Sequence, residues 1–173
     1  MLNKKMEEAL NKQLNAELYS AYLYYSMSAY FEAEGLKGCA HWMRLQALEE
    51  MTHVSKFFDF INDRGGRVLM QPVDGPETNW DSPTAVFQAT LEHEGTVTGL
   101  INKLVDLSLE LSDHGTNNFL QWFVGEQVEE EATADEILTK MKRVESSPGG
   151  LFQLDAELGA RTIVLPPGFP GVA

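Results

Sequence analysis

The stretch GGRVLMQPVDGPETNWDSP, residues 65–83, decides the fold that we predict for this chain of 173 residues. It contains Pro72 and Pro76, and its apolar residues lack helical spacing. Gly65-Gly66 is a strong helix stop, and Ser82-Pro83 offers an N-cap residue followed by proline at the first helical position. The stretch therefore connects two helices. Fully extended it reaches roughly 59 Å, which exceeds the length of roughly 42 Å expected for a flanking helix.

Helical spacing of apolar residues covers most of the chain on either side of this connection. Gly35 divides the first half into two helices, and a turn at 113–116 divides the second half. The predicted helices cover about residues 3–34, 36–64, 83–112, 116–145 and 151–160. The short turns make each pair antiparallel, whereas the long connection lets the second and third helices lie parallel. We therefore predict an all-α four-helix bundle with one long crossover and a short fifth helix.

The composition is that of a globular protein with a marked excess of acid. Hydrophobic residues make up 43% of the chain, and 26 Asp and Glu against 13 Lys and Arg give a net charge of −13. This charge repels nucleic acid and anionic membranes and attracts cations. The single cysteine, Cys39, excludes a disulfide framework and cysteine-ligated clusters. With no apolar run of about 20 residues and no signal segment, we expect a cytoplasmic protein. We predict one domain over 1–160 and an apolar, proline-rich tail over 161–173.

Each of the four long helices carries one glutamate near the middle of an otherwise apolar stripe: Glu17, Glu50, Glu94 and Glu130. His53 lies three residues after Glu50 and shares its face. Carboxylates at one depth of a core repel one another unless they are protonated or bind a cation. Carboxylates with one imidazole favour iron or manganese, so the pattern predicts a metal centre. The stripe of the third helix is predicted to comprise Phe87, Leu91, Glu94, Thr98, Ile101 and Val105.

The segments around these glutamates resemble the prokaryotic non-haem ferritins, and the resemblance extends from residue 2 to about 158. It rests on LNAELYS at 14–20, EEMTH at 49–53, EHE at 92–94, NFLQW at 118–122 and GEQVEEE at 125–131. The resemblance implies a ferritin-like bundle with a ferroxidase centre for two iron ions. Glu17, Glu50 and His53 would hold one iron. Glu50, Glu94 and Glu130 would hold the other, with Gln127 either a ligand or a hydrogen-bonding neighbour.

The resemblance further implies a third iron site and a tyrosine beside the iron pair. The third site falls on Glu49, Glu126, Glu129 and Glu130, and three of these form one patch on the fourth helix. Tyr24 matches the tyrosine, as a redox or hydrogen-bonding group or simply as a core aromatic residue with a satisfied hydroxyl.

The function implied by this resemblance is iron storage with ferroxidase activity. Members of the family assemble into a homo-oligomeric cage of twenty-four subunits, oxidise Fe(II) with oxygen or peroxide, and store the ferric mineral inside. Thr52 and Glu130 replace the methionine and histidine expected in haem-binding bacterioferritins, although Met51 is adjacent to position 52. We therefore expect no haem. The tail at 161–173 matches no motif of the family.

Two other functions are compatible with an acidic bundle core. One is a discrete di-iron oxidase or peroxidase of the rubrerythrin type without a storage cage. A single cysteine argues against it, because it cannot build the rubredoxin-type electron-entry site. The other is a non-catalytic bundle whose inward glutamates remain protonated.

Overall fold

The computed structural model describes residues 2–164, which form five helices and contain no strand. The helices are α1 (Lys4–Glu34), α2 (Lys37–Asp63), α3 (Pro83–Glu110), α4 (His114–Val144) and α5 (Pro148–Leu158). This order confirms the predicted all-α bundle with a short fifth helix. Within these residues no helix combines the length and the apolarity that a membrane crossing requires.

The fifth helix begins three residues earlier than the sequence analysis predicted. The predicted range of 151–160 leaves Ser147 and Pro148 outside this helix, yet Pro148 is its first residue. The Ser147 side chain accepts a hydrogen bond from the Gly150 amide at 3.2 Å, which makes it the N-cap. Ser82 and Pro83 start α3 in the same way, since the Ser82 side chain accepts from the Ala85 amide. The serine–proline pair at 147–148 therefore starts a helix.

The long connection, residues 64–82, follows α1 along much of its length. Near the start of α1, the Glu7 carboxylate accepts a hydrogen bond from the Arg67 amide at 2.8 Å. Nearer its end, the Ser26 hydroxyl donates to the Glu77 carbonyl at 2.6 Å. The connection thus carries the chain back toward the end of the bundle where α1 finishes. Helix α3 therefore runs parallel to α2, as the predicted crossover requires.

A polar layer at mid-height separates two apolar clusters of the core. On α1, residues 23–31 belong to one cluster and residues 2–14 to the other, with Glu17 between them. Glu50 and His53 lie between the two clusters on α2, and Glu94 does so on α3. The four helices therefore bring their ionisable residues to one depth of the bundle.

The stripe predicted for α3 is wrong at every second position. Leu91, Thr98 and Val105 are only half-buried. The buried residues of α3 are Val86, Phe87, Thr90, Glu94, Val97, Ile101, Leu104 and Ser108. Phe87, Glu94 and Ile101 belong to both the predicted and the observed stripe, and steps of three or of four residues from them are equally helical. Spacing alone therefore did not distinguish the predicted stripe from the observed one. The contacts of α3 with α1 and α4 decide which set is covered.

Candidate metal centre

Glu17, Glu50 and His53 bring three ligand atoms together in the middle of the bundle. Each residue is at most 2% exposed, and one ligand atom of each lies within 4.8 Å of the other two. His53 Nδ1 is 3.1 Å from Glu50 Oε2 and 3.8 Å from Glu17 Oε2. Because Glu50 and His53 are one turn apart on α2, the helix itself sets their spacing. Two carboxylates and an imidazole form a ligand set that suits iron.

The hydrogen bonds around this group leave a carboxylate oxygen that can bind a cation. Gln13 donates its amide to Glu17 Oε1 at 2.8 Å. Among residues 2–164, Glu17 Oε2 has no hydrogen-bond partner although it is buried. An unpaired buried oxygen of this kind is energetically costly. A metal ion seated between Glu17 and His53 Nδ1 would satisfy it, so the donor set fits a metal.

Aromatic rings hold the His53 imidazole in place. The ring centroid of Trp122 lies 5.5 Å from that of His53, and the centroid of Phe123 lies 5.7 Å away, both with edge-to-face geometry. Such pairs are favourable beyond the area they bury and restrict the tilt of the ring. The packing of α4 against α2 therefore helps to keep Nδ1 facing the two carboxylates.

Glu94 lies on α3 in the same polar layer and is held by two donors. The Tyr24 hydroxyl donates to Glu94 Oε1. The Gln127 amide donates to Glu94 Oε2 at 3.1 Å. The structure thus places Tyr24 and Gln127 against Glu94, and both contacts are hydrogen bonds. Burial raises the pKa of Tyr24 well above its usual value, and the Glu94 charge adds to this effect, so the hydroxyl remains a donor.

Glu130 joins this layer from α4 and is 7% exposed. Its carboxylate accepts a hydrogen bond from the Gln46 amide. Burial raises the pKa of Glu130 to about 8, and the neighbouring charges of Glu94 and Glu49 act in the same direction. Burial thus favours the protonated form of Glu130 in the metal-free protein, and binding of a cation would favour the ionised form.

The buried charges of Glu17, Glu50 and His53 depend on one another. Burial raises the pKa of Glu50 well above its usual value, even though the His53 charge opposes the shift. For Glu17, burial also acts upward, but the nearby His53 ring and its charge outweigh it and lower the pKa. The His53 pKa is raised because the carboxylate charges outweigh the desolvation of the ring. A bound metal cation would favour the ionised carboxylates and the neutral imidazole, so metal binding and protonation compete at these three groups.

A second acidic group adjoins the first. Glu49, Glu126 and Glu130 each offer a carboxylate oxygen, and these atoms lie within 4.8 Å of one another. Glu49 and Glu126 are half-buried. Glu129, which the resemblance also assigned to the third iron site, is exposed and does not belong to this group. Its charge nevertheless acts on Glu126, whose pKa is raised first by burial and then by Glu49 and Glu129.

Three residues that contact the candidate ligands were not anticipated from the sequence. Gln13 and Gln46 each lie four residues before a predicted ligand, so their position one turn away was a usable signal. The third is Arg161, whose guanidinium lies 2.6 Å from Glu49 Oε2. The sequence offered a weaker indication of this contact, namely that Arg161 is the one charged residue at 161–173.

Comparisons with known proteins return ferritins. The family model described as a ferritin-like domain matches residues 7–144. The bacterial non-heme ferritin of Bacteroides fragilis (strain 638R) is 45% identical over 161 residues, which cover 93% of this chain and 100% of that protein. The protein of the same name from Escherichia coli O6:H1 is 40% identical over 158 residues, or 91% and 96% of the two chains. The open pore ferritin crystal structure from Archaeoglobus fulgidus superimposes with a TM-score of 0.93 at 49% identity, covering 94% of this chain and 100% of that one.

Proposed function

We propose that this chain, which belongs to the ferritin family, oxidises Fe(II) inside its own helical bundle and stores the Fe(III) as a mineral within a hollow homo-oligomeric cage. The observation that carries the proposal is the convergence of Glu17, Glu50 and His53 within 4.8 Å of one another in an apolar core. The names of the relatives support the same function, since those proteins are non-heme ferritins.

Iron enters this reaction as the substrate. In the proposed arrangement, Glu17, Glu50 and His53 hold one Fe(II), and Glu50 is shared with the second. Glu94 and Glu130 complete the second position, and Gln127 keeps Glu94 oriented. The arrangement is supported by the common depth of these side chains and by the unpaired oxygen of Glu17.

The two adjacent positions allow two electrons to be delivered together. Two Fe(II) ions reduce one O2 with uptake of two protons, which yields two Fe(III) ions and H2O2. Peroxide can also serve as the oxidant, in which case two Fe(II) ions and two protons convert it to two waters. Anionic oxygen ligands stabilise the Fe(III) that forms. Iron binding would displace protons from carboxylates whose pKa burial raises, such as Glu130.

A third iron site would lie next to the pair. We assign it to Glu49, Glu126 and Glu130, with Glu129 as a carboxylate that reaches the iron only after its side chain turns inward. The closeness of the first three supports this assignment. Iron at this position would lie between the oxidising pair and the interior of the cage. No haem takes part in the proposed reaction.

An aerobic Fe(II) titration tests the proposal, with the formation of Fe(III) followed by its absorbance. The parent protein should oxidise iron well above a buffer blank. Glu50→Ala should slow the initial rate by about a hundredfold or more, because the shared ligand is lost. Glu8→Ala, which removes an exposed glutamate of α1, is the matched control and should match the parent. Equal rates for Glu50→Ala and the parent would refute catalysis at this centre. If neither exceeded the blank, a non-catalytic bundle would be the better description.

A further inference from the structure

The Arg161 side chain is held by several contacts beside the second acidic group, Glu49, Glu126 and Glu130. It follows α5, and its side chain is 20% exposed. Its guanidinium lies 4.6 Å from the ring centroid of Trp42, in a cation–π contact. The His41 ring nitrogen lies 3.0 Å from the Arg161 carbonyl oxygen. Backbone and side chain are therefore both attached to α2.

The guanidinium contacts two side chains of α2 at once. Nη2 lies 2.6 Å from Glu49 Oε2, and Nη1 donates to Gln46 Oε1 at 2.6 Å. The Gln46 side-chain oxygen accepts this hydrogen bond from Arg161. The NH2 group of Gln46 therefore points away from Arg161 and donates to Glu130. One cation thus neutralises Glu49 directly and orients the donor to Glu130. Both are members of the group assigned to the third iron.

The residues that follow Arg161 pass over the same region. Ile163 and Val164 line a cavity of about 280 Å³ together with Glu49, Glu126, Lys56 and Trp122. The His53 side chain also lines this cavity. The half-buried Ile163 and the exposed Val164 therefore border the cavity next to Glu49.

We propose that Arg161 is a resident counter-ion that competes with the third metal cation for Glu49 and thereby keeps that position the weakest of the three. The guanidinium holds Glu49 Oε2, so a cation that binds Glu49 is repelled by it and must share the carboxylate with it or displace it. Displacement would also leave Gln46 free to release Glu130. The coupling is reciprocal, so the cation and the guanidinium weaken each other's hold on Glu49. Iron would accordingly stay at the third position only briefly before passing inward. This inference rests on the proposed function, but Arg161 lies outside the family match at 7–144.

Calorimetric titration of the metal-free, assembled protein with Zn²⁺ tests this inference, because Zn²⁺ binds the same ligand types without redox chemistry. Arg161→Gln removes the charge. It should tighten the weakest Zn²⁺ site by about tenfold, while the site of Glu17, Glu50 and His53 changes by less than about twofold. Adding Glu49→Gln to this variant should abolish the gain. Arg161→Lys keeps a charge but loses the planar fork, so its third-site affinity should lie between those of the parent and Arg161→Gln.

The outcomes separate the two proposals. If Arg161 instead orders Glu49 for metal, Arg161→Gln will weaken the third site, and an unchanged affinity would likewise overturn the competition. In both cases the two stronger sites remain, and the proposed function stands. The proposed function predicts two stronger Zn²⁺ sites whose affinity falls in Glu17→Ala. If the parent protein lacks these two sites, or if Glu17→Ala does not weaken them, the proposed function itself fails. If native mass shows that Arg161→Gln does not assemble, Arg161→Lys decides, since it should still bind the third Zn²⁺ several times more tightly than the parent.

Discussion

Glu94 and Glu17 differ in how their oxygen atoms are used, although both lie in the same buried layer. Both oxygens of Glu94 accept hydrogen bonds, from Tyr24 and from Gln127. Glu17 has one oxygen bonded to Gln13 and one with no partner among residues 2–164. In the proposed centre, Glu17 therefore offers an oxygen free of hydrogen bonds to the first iron, whereas a metal at Glu94 would share its oxygens with the Tyr24 and Gln127 donors.

Replacement of Tyr24 by phenylalanine tests the role of its hydroxyl. Tyr24→Phe leaves Glu94 Oε1 without a donor in a buried layer. We expect the metal-free protein to lose about 1 kcal/mol of unfolding free energy, measured by denaturant titration. Fe(II) oxidation should slow several-fold while two Zn²⁺ ions still bind. Tyr30→Phe, at a half-buried tyrosine of α1, is the control and should change neither. An oxidation rate equal to that of the parent would reduce Tyr24 to a core aromatic residue.

His93 predicts a pH dependence of stability. Its ring packs edge-on against Tyr24, and its Nε2 lies 2.8 Å from the Ser20 hydroxyl oxygen. Burial lowers the pKa of His93 to about 4, with the Glu17 charge opposing the shift. The unfolded chain, with a histidine pKa near 6.5, therefore binds more protons between about pH 6.5 and 4. The unfolding free energy therefore carries no penalty from His93 above about pH 6.5, and it declines as the pH falls from 6.5 toward 4.

The measurement is the difference in unfolding free energy between the parent and His93→Gln, taken from pH 7 to pH 4.5. The buried carboxylates titrate in both proteins, so their effects largely cancel in the difference. We expect the parent to lose more stability than the variant over this range. Parallel pH profiles would contradict the assignment.

At the scale of elements, the contact between α5 and α2 positions Arg161. The two helices approach so closely that a Cβ added to Gly38 would lie 1.6 Å from the Asp155 carbonyl oxygen. The Cys39 amide also donates to the Asp155 carboxylate at 2.8 Å. The absence of a side chain at Gly38 is therefore what allows α5 to dock on α2, and Arg161 is the third residue after the end of α5.

Gly38→Ala should push α5 away from α2, because the new methyl group would overlap backbone atoms that have no room to move. We expect faster hydrogen exchange in α5 and a lower thermal unfolding temperature, with a loss of about 2 kcal/mol. Gly99→Ala is the matched control, since a Cβ there meets no atom of the described residues within 4 Å. A helix-interior Gly→Ala change of that kind should be neutral or slightly stabilising. Unchanged exchange in α5 of Gly38→Ala would contradict the close packing.

At the scale of the whole molecule, the proposed function depends on assembly. Native mass spectrometry should give a particle of twenty-four copies of the 19.3 kDa chain, and electron microscopy after iron loading should show dense cores. A net charge of −13 per chain would be concentrated on such a particle and attract Fe(II). A monomer or dimer that still oxidises iron would favour the di-iron oxidase alternative. An assembled cage without dense cores would contradict storage.

Most helical ends, although not the start of α5, and the polar layer could be predicted from sequence because both are local or periodic features. Glycine at 35 and the serine–proline pair at 82–83 end or start helices through their own backbone preferences. Stripes that step by three and four residues place Glu17, Glu50 and Glu130 in the core wherever the helices pack. The physical conflict of several buried carboxylates then indicates a cation.

Only the tertiary structure decided the side of α3 that is covered, the contact between Gln46 and Glu130, and the position of Arg161. The two stripes of α3 share Glu94, and contacts with neighbouring helices alone choose between them. The contact between Arg161 and Glu49 joins residues 112 positions apart. Helical spacing fixes which residues of one helix share a face. It carries no information about which residue of a distant segment will meet that face, because this depends on how whole elements pack.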